Sequence, residues 1–256
     1  MGHQFSEVLF DLLEAKYKAY NTVHFIEDDP ISIPHQFTKK EDIEIAGFLA
    51  ATIAWGQRKT IINNANRILG YMDHAPHDFI VNHEASDLKR IDGFVHRTFN
   101  TCDLECFFTS LKNIYKNHRG LENVFSFRSS MAETLAHFKG VFFSIPHEKR
   151  SQKHVANPLK GSTAKRLNMY LRWMVRQDHN SIDFGIWKSH EMAHLMMPLD
   201  VHTANVGRKL GLLTRKQNDW KAVEELTNSL RLYDINDPVK YDFALFGMGV
   251  NGDVEL

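Results

Sequence analysis

An aspartate and a histidine stand two residues apart in Met197-Pro198-Leu199-Asp200-Val201-His202, where an apolar run and a proline give way to the helical pattern Thr203-Ala204-Asn205-Val206. At such a boundary the first backbone amides of the helix lack an intrahelical acceptor. Asp200 can accept from them and stay ionised, while the remaining amides and His202 can hold an anion such as a phosphate. Taken alone, the same residues are an ordinary helix N-cap. A second pattern, His190-Glu191-Met192-Ala193-His194, fits the zinc-hydrolase signature, which needs both histidines on one face of a continuous helix with the glutamate as base. Pro198 follows four residues after His194 and would end that helix, and no third ligand follows in register, so the context argues against zinc.

The elements that must carry these residues are helical. Apolar residues recur at intervals of three and four, as in Leu104, Phe107, Phe108, Leu111, Ile114 and Tyr115, and helices are predicted over 5–20, 40–54, 59–72, 103–117, 131–144, 162–176, 202–212, 219–232 and 238–249. The stretch 22–37, with Pro30 and Pro34, reads as a loop. With 256 residues, 43% of them apolar, the chain can bury a sizeable core. Its 31 Lys and Arg balance 31 Asp and Glu, which excludes a uniformly basic nucleic-acid coat. The balance is uneven, however: between Lys139 and Asp178 nine cations face only Glu148 and Asp178. That segment reads either as a DNA-facing surface or as a solvated helix face with a basic loop. Cys102 and Cys106 are the only cysteines, too few for a four-cysteine iron–sulfur cluster and consistent with a reducing compartment. Val8-Leu9-Phe10 is interrupted by Asp11, so no signal peptide or membrane span is expected there, and a cytoplasmic protein is.

Pro198-Leu199-Asp200-Val201-His202 resembles the segment that carries the catalytic aspartate in the helix-hairpin-helix DNA glycosylase superfamily, most closely in its 8-oxoguanine branch. The chain is also similar to an uncharacterised bacterial family of like length. Further landmarks follow the superfamily's order. An apolar helix runs into Trp55-Gly56-Gln57-Arg58, where Gln57 takes the place of the residue that probes the duplex; read locally, this is a glycine-broken pair of core helices with Trp55 as packing. Gly93-Phe94-Val95-His96-Arg97 is similar to the glycine-aromatic-x-x-cation segment, although Arg97 by itself reads as a surface or ion-pair residue. Asn157-Pro158-Leu159-Lys160-Gly161-Ser162-Thr163-Ala164-Lys165-Arg166 resembles a loosened hairpin before the catalytic lysine, with Lys165 as the first candidate and Lys160 as the other. The 35 residues from Lys165 to Asp200 are more like the spacing of the archaeal branch. Asp242 and Phe246, four apart near the C-terminus, are similar to the pair that meets the base; by composition alone Phe246 reads more often as a core residue than as a base-stacking one, and Asp242 as a solvated one.

The resemblance implies an all-α, bilobal fold with a divergent hairpin. A central lobe would span about 40–125 and a second lobe 1–39 with 126–256, including the hairpin remnant (157–176) and the aspartate segment (197–212), with the active cleft between them. It implies removal of an oxidised purine from double-stranded DNA, with or without strand cleavage. Lys165 would be nucleophile and Asp200 its carboxylate partner. Gln57, Arg58, Arg97, Lys160, Gly161, Arg166 and His202 would contact DNA, and Trp55, Asp242 and Phe246 would line the base pocket. No cofactor or metal is required, and a monomer is expected. The competing classes are a non-catalytic DNA-binding protein on the same fold and, more remotely, the zinc hydrolase.

Overall fold

The computed structural model describes residues 4–253. The α-helices run in the order α1 (Glu7–Tyr20), α2 (His24–Glu27), α3 (Lys40–Thr52), α4 (Arg58–Tyr71), α5 (Pro76–Asn82), α6 (Thr101–Asn117), α7 (Leu121–Val124), α8 (Met131–Phe142), α9 (Lys165–Val175), α10 (Val201–Lys209), α11 (Trp220–Arg231) and α12 (Tyr241–Asn251). One antiparallel hairpin, β1 (Val95–His96) and β2 (Phe99–Asn100), pairs Val95 with Asn100 and His96 with Phe99. Among the described residues the fold is all-α apart from that hairpin. The chain forms two compact units: a central one, Ile26–Ala156, and a terminal one in which Met1–Phe25 joins Asn157–Leu256. Residues 26–39 and 126–156 thus pack with the central helices. No helix among the described residues is long and apolar enough to cross a membrane.

In the central unit α3 is buried along every residue from Ile43 to Thr52, so its apolar residues need no polar face. Phe48 stacks on Phe107 of α6 at 5.9 Å and meets Phe138 and Phe142 of α8 at 5.5 and 5.4 Å. Each such ring, taken out of water, contributes about 1.5–3 kcal/mol. The start of α6 is held by a capping box between Asn100 and Asp103. Asp103 is fully buried and accepts from Ser151 Oγ at 2.7 Å and Asn100 N at 3.0 Å, with His154 Nε2 at 3.2 Å and Arg150 Nη2 at 3.4 Å. One carboxylate thereby ties the first turn of α6 to the segment 149–154.

In the terminal unit α12 packs on α1 and α10 through glycines. A β-carbon on Gly247 would overlap the Tyr20 ring of α1, and one on Gly249 would lie 2.9 Å from His202 Cβ of α10. Glycine weakens a helix interior, so its presence here reflects close approach rather than propensity. α9 is buried from Leu167 to Val175, yet it carries Arg172, and Arg176 follows as its C-cap. Lys165, Arg172 and Arg176 are spaced seven and four apart and share one face. Arg172 pairs with Asp242 of α12 and, at 3.2 Å, with Asp183. Arg176 reaches Asp178 at 2.7 Å, Asp237 at 2.9 Å, Asp183 at 3.0 Å and the Tyr17 hydroxyl of α1 at 2.7 Å. Burial works against the charge of Arg176, but these surrounding acids outweigh it and hold the guanidinium ionised.

The helices differ from the pattern-based expectation mainly at their ends. The span 162–176 begins only at Lys165, because Gly161 and Ala164 adopt left-handed backbone with φ of 84° and 48°. The span 202–212 ends at Lys209, followed by Gly211 with φ of 69°. The stretch 22–37 is not an open loop: it carries α2 and two 3-10 turns, Pro30–Ser32 and Pro34–Gln36, each started by a proline whose missing amide is no loss at a first turn. α5 and the hairpin went unexpected because each is too short to display a period.

Replacing Gly247 with alanine is expected to cost about 1–3 kcal/mol through overpacking against Tyr20. Gly140→Ala on α8, where a β-carbon meets nothing within 4 Å, should instead gain about 0.5–1 kcal/mol. Urea midpoints of the two variants check this, and equal effects would contradict it. A second expectation concerns pH. Burial pushes the Asp242 carboxyl up to about 6, with Arg172 pulling it back and Asp200 pushing it further. An unfolded aspartate titrates near ~3.9, so the folded chain holds this proton more tightly. The ionised group therefore opposes folding above about pH 6, and the opposition fades as the pH falls from about 6 towards about 4. Relative to Asp242→Asn, the wild type should gain about 2–3 kcal/mol on going from about pH 7 to about pH 4. A difference independent of pH would be the contrary result.

Candidate active site

The segment Leu195–Leu199 is buried, and Met197 N donates to Thr227 Oγ1 of α11 at 3.1 Å. This anchored run delivers Asp200 to the N-cap of α10, where Oδ1 accepts from Thr203 N at 3.0 Å. The other boundary is built by turn chemistry. Asn157 caps a single 3-10 turn, Pro158–Lys160, and Gly161 ends it, its carbonyl accepting from Trp220 N at 3.2 Å. Ala164, whose φ of 48° is uncommon for a residue with a side chain, then turns the chain into α9 with Lys165 as its first residue. The segment read as a loosened hairpin before Lys165 is therefore a single 3-10 turn.

These two helix starts bring Lys165 Nζ to 3.7 Å from Asp200 Oδ2, with the side chains 29% and 22% exposed. Lys165, rather than Lys160 in the preceding turn, is the lysine set beside the aspartate. An amine and a carboxylate in contact with each other and open to solvent can act as a nucleophile with a partner that accepts its proton or stabilises positive charge. His202 is exposed on the first turn of α10, its ring edge-on to Phe246 at 6.3 Å. Phe246 is half-buried, whereas Asp242 is only 7% exposed and is held by Arg172. Asp242 is neither solvated nor turned outward; it forms the floor beneath the Lys165–Asp200 pair, whose charges both act on it. Burial also pulls the Arg166 guanidinium down to about 10, so this half-buried side chain differs from the hydrated surface cation expected of a phosphate contact.

The remaining predicted residues lie in the central unit. Trp55, Gly56, Gln57 and Arg58 form the turn between α3 and α4, with Gly56 at φ 108°, which only glycine adopts readily. Gln57 and Arg58 are exposed, and the Gln57 side chain does not cap α4. Arg97, at the tip of the β1–β2 hairpin, lays its side chain over this turn: a β-carbon on Gly56 would be 3.3 Å from Arg97 Nη1. Two landmarks forty residues apart in sequence are thus neighbours. Trp55 is half-buried and packed, stacked on His154 at 6.0 Å and edge-on to His96 at 5.0 Å. Asn64 Nδ2 donates to His96 Nδ1 at 2.9 Å, which leaves Nε2 to donate to the Trp55 carbonyl at 3.1 Å.

The zinc-hydrolase pattern is not helical. Met192–His194 is a 3-10 turn and His190 lies in the bend before it, its ring against Trp187 at 5.4 Å, so the two histidines do not share a helical face. Among the described residues no group of three or more His, Cys, Asp or Glu could hold a metal ion. Several cations of the basic segment 139–178 are engaged within their own units. Lys139 donates to the carbonyls of Gln152 and Val155, Arg150 to that of Thr98, and Arg172 and Arg176 are buried in ion pairs. Sequence reasoning missed Arg172 and Asp183. The available signal was two arginines on an otherwise apolar helix, since buried cations require acids.

No curated protein and no solved structure matches the chain. The family DUF2400, described as proteins of unknown function, matches residues 29–251. Because that match takes in the Trp55 turn, the Arg97 hairpin, Lys165, Asp200 and Asp242, and most of both units, the chain belongs to the DUF2400 family.

Proposed function

We propose that the protein is a DNA glycosylase that removes an oxidised purine through an amine nucleophile. The observation that carries this reading is the 3.7 Å approach of Lys165 Nζ to Asp200 Oδ2 at the starts of two helices separated by 35 residues in sequence. An ion pair placed for stability alone gains little at a partly exposed position. A nucleophile, in contrast, has to be reachable.

In this reading the damaged nucleotide leaves the stack, at a cost of a few kcal/mol that a lesion lowers. Lys165, once neutral, attacks the sugar C1′. The glycosidic bond breaks, its electron pair leaves with the base, and the base takes up a proton. Ring opening then gives a lysine–sugar imine, which water hydrolyses or which eliminates the 3′ phosphate. Asp200 stabilises the cationic character that develops at C1′ and receives the proton of the attacking amine. The first amides of α10 with His202, and Lys160 with the Gly161 turn, are assigned to backbone phosphate. Gln57, with Arg58 and Arg97 beside it, is assigned to the duplex, because its exposed side chain caps nothing. Phe246 is assigned to the base, and Asp242 acts from below through Arg172.

Incubation with a duplex containing 8-oxoguanine opposite cytosine, beside a panel of other base lesions, should release a base. Lys165→Gln and Asp200→Asn should each lower the single-turnover rate by about 10²-fold or more with the helical circular-dichroism signal unchanged. Undiminished release by Lys165→Gln, or no release from any lesion, would remove the proposal. In the second case, salt-dependent duplex binding would remain as the property of a non-catalytic DNA-binding protein.

A further inference from the structure

The face of α9 that carries Lys165 also carries Arg172, two turns on. Side chains on a helix lean towards its N-terminus, which is the direction of Lys165 from Arg172. Three carboxylates are available to these two cations. Asp183 takes Arg172 Nε at 3.2 Å, Asp242 takes Nη1, and Asp200 stands by Lys165 at 3.7 Å. Asp242 belongs to α12, which packs against α10, the helix that Asp200 caps.

Arginine competes for carboxylates on better terms than lysine. Its planar fork can engage two oxygens at once and is less strongly hydrated than an ammonium. Without Asp242, Arg172 would keep only Asp183, which Arg176 also engages at 3.0 Å, and a buried guanidinium left with half a counter-charge turns to the next carboxylate nearby. Asp200 is the neighbouring carboxylate: it caps α10 two residues before His202, whose ring meets Phe246, one turn after Asp242 on α12, at 6.3 Å. We infer that Asp242 is a positioning residue: by holding Arg172 it keeps that guanidinium from Asp200 and so reserves Asp200 for Lys165. This rests on Lys165 and Asp200 being the reacting pair.

The charged groups around Asp242 are consistent with this role. Lys165 and Arg172 act on it from α9, Asp183 from the loop behind that helix, and Asp200 from the cap of α10. On α1, Glu14 accepts from the Tyr241 hydroxyl at 2.8 Å and Tyr17 accepts from Arg176 at 2.7 Å, so both are engaged elsewhere. Asp242 is thus the acid that α12 contributes to this stripe, and its burial prevents it from serving substrate directly.

The test reads the state of the Lys165 amine without DNA. The full chain is reductively methylated with formaldehyde and cyanoborohydride at about pH 8, and each lysine is quantified by mass spectrometry, with exposed Lys160 as reference. In Asp242→Asn, Lys165 should react about two- to fivefold faster than in the wild type, the size expected for losing a partly exposed ion pair. Asp242→Glu, and Asp242→Asn combined with Arg172→Met, should both return to the wild-type rate. If the asparagine variant does not fold, Asp242→Ser should give the same increase. An unchanged Lys165 rate in a folded neutral variant, or an increase that persists after Arg172 is removed, overturns the inference. Borohydride trapping of the wild type on an abasic duplex, run in parallel, separates the two claims. No adduct with the expected methylation pattern removes the glycosylase reading and leaves the role of Asp242 standing, whereas an adduct with a flat pattern does the reverse.

Discussion

Two arginines in the interior of a helical unit cannot be left without acids, and that requirement organises the terminal unit of this protein. Arg172 and Arg176 are 3% and 0% exposed. Their partners come from α12, from the loop after α9 and from the segment before α12, while α1 contributes a tyrosine hydroxyl. An apolar core of the same volume would often be as stable as such a network. What the charges add is direction: each pair fixes the rotation of α9 about its axis and its register along α12. Lys165 lies on the same stripe, so the interactions that satisfy the arginines also aim the lysine.

The aim is completed from the other side by backbone chemistry. Asp200 is held as an N-cap, with the buried run before it anchored to α11. Two left-handed residues, Gly161 and Ala164, set where α9 begins. The central unit has a different internal logic, an aromatic core around Phe48 and a buried carboxylate, Asp103, that joins the start of α6 to 149–154. It contributes an exposed turn, Gly56 to Arg58, overlaid by Arg97.

The helices were legible because burial of one face imposes a period, and their centres followed the pattern closely. Their ends were less so, because Ala164 gives no local sign of a left-handed conformation and Gly211 only a weak one. The cap at Asp200 could be read directly, since proline, aspartate and an apolar run are local signals. The 3.7 Å partnership with Lys165 came from resemblance rather than from any feature of spacing. Arg172 with Asp242 could not be read at all: the partners lie 70 residues apart, and an aspartate on a C-terminal helix has the same sequence signature whether it faces solvent or a buried guanidinium. Trp55 was equally ambiguous, and its packing against His154 and His96 depends on residues that only the fold brings together.

The proposed reaction turns on Lys165 as the amine that attacks a deoxyribose carbon. Its most direct test is to reduce a mixture of the full chain and an abasic-site duplex with borohydride, digest protein and DNA, and locate the sugar-derived mass by tandem mass spectrometry. That mass is expected on the side chain of Lys165. Its appearance on Lys160 or another amine, or the absence of any modified peptide, would contradict it.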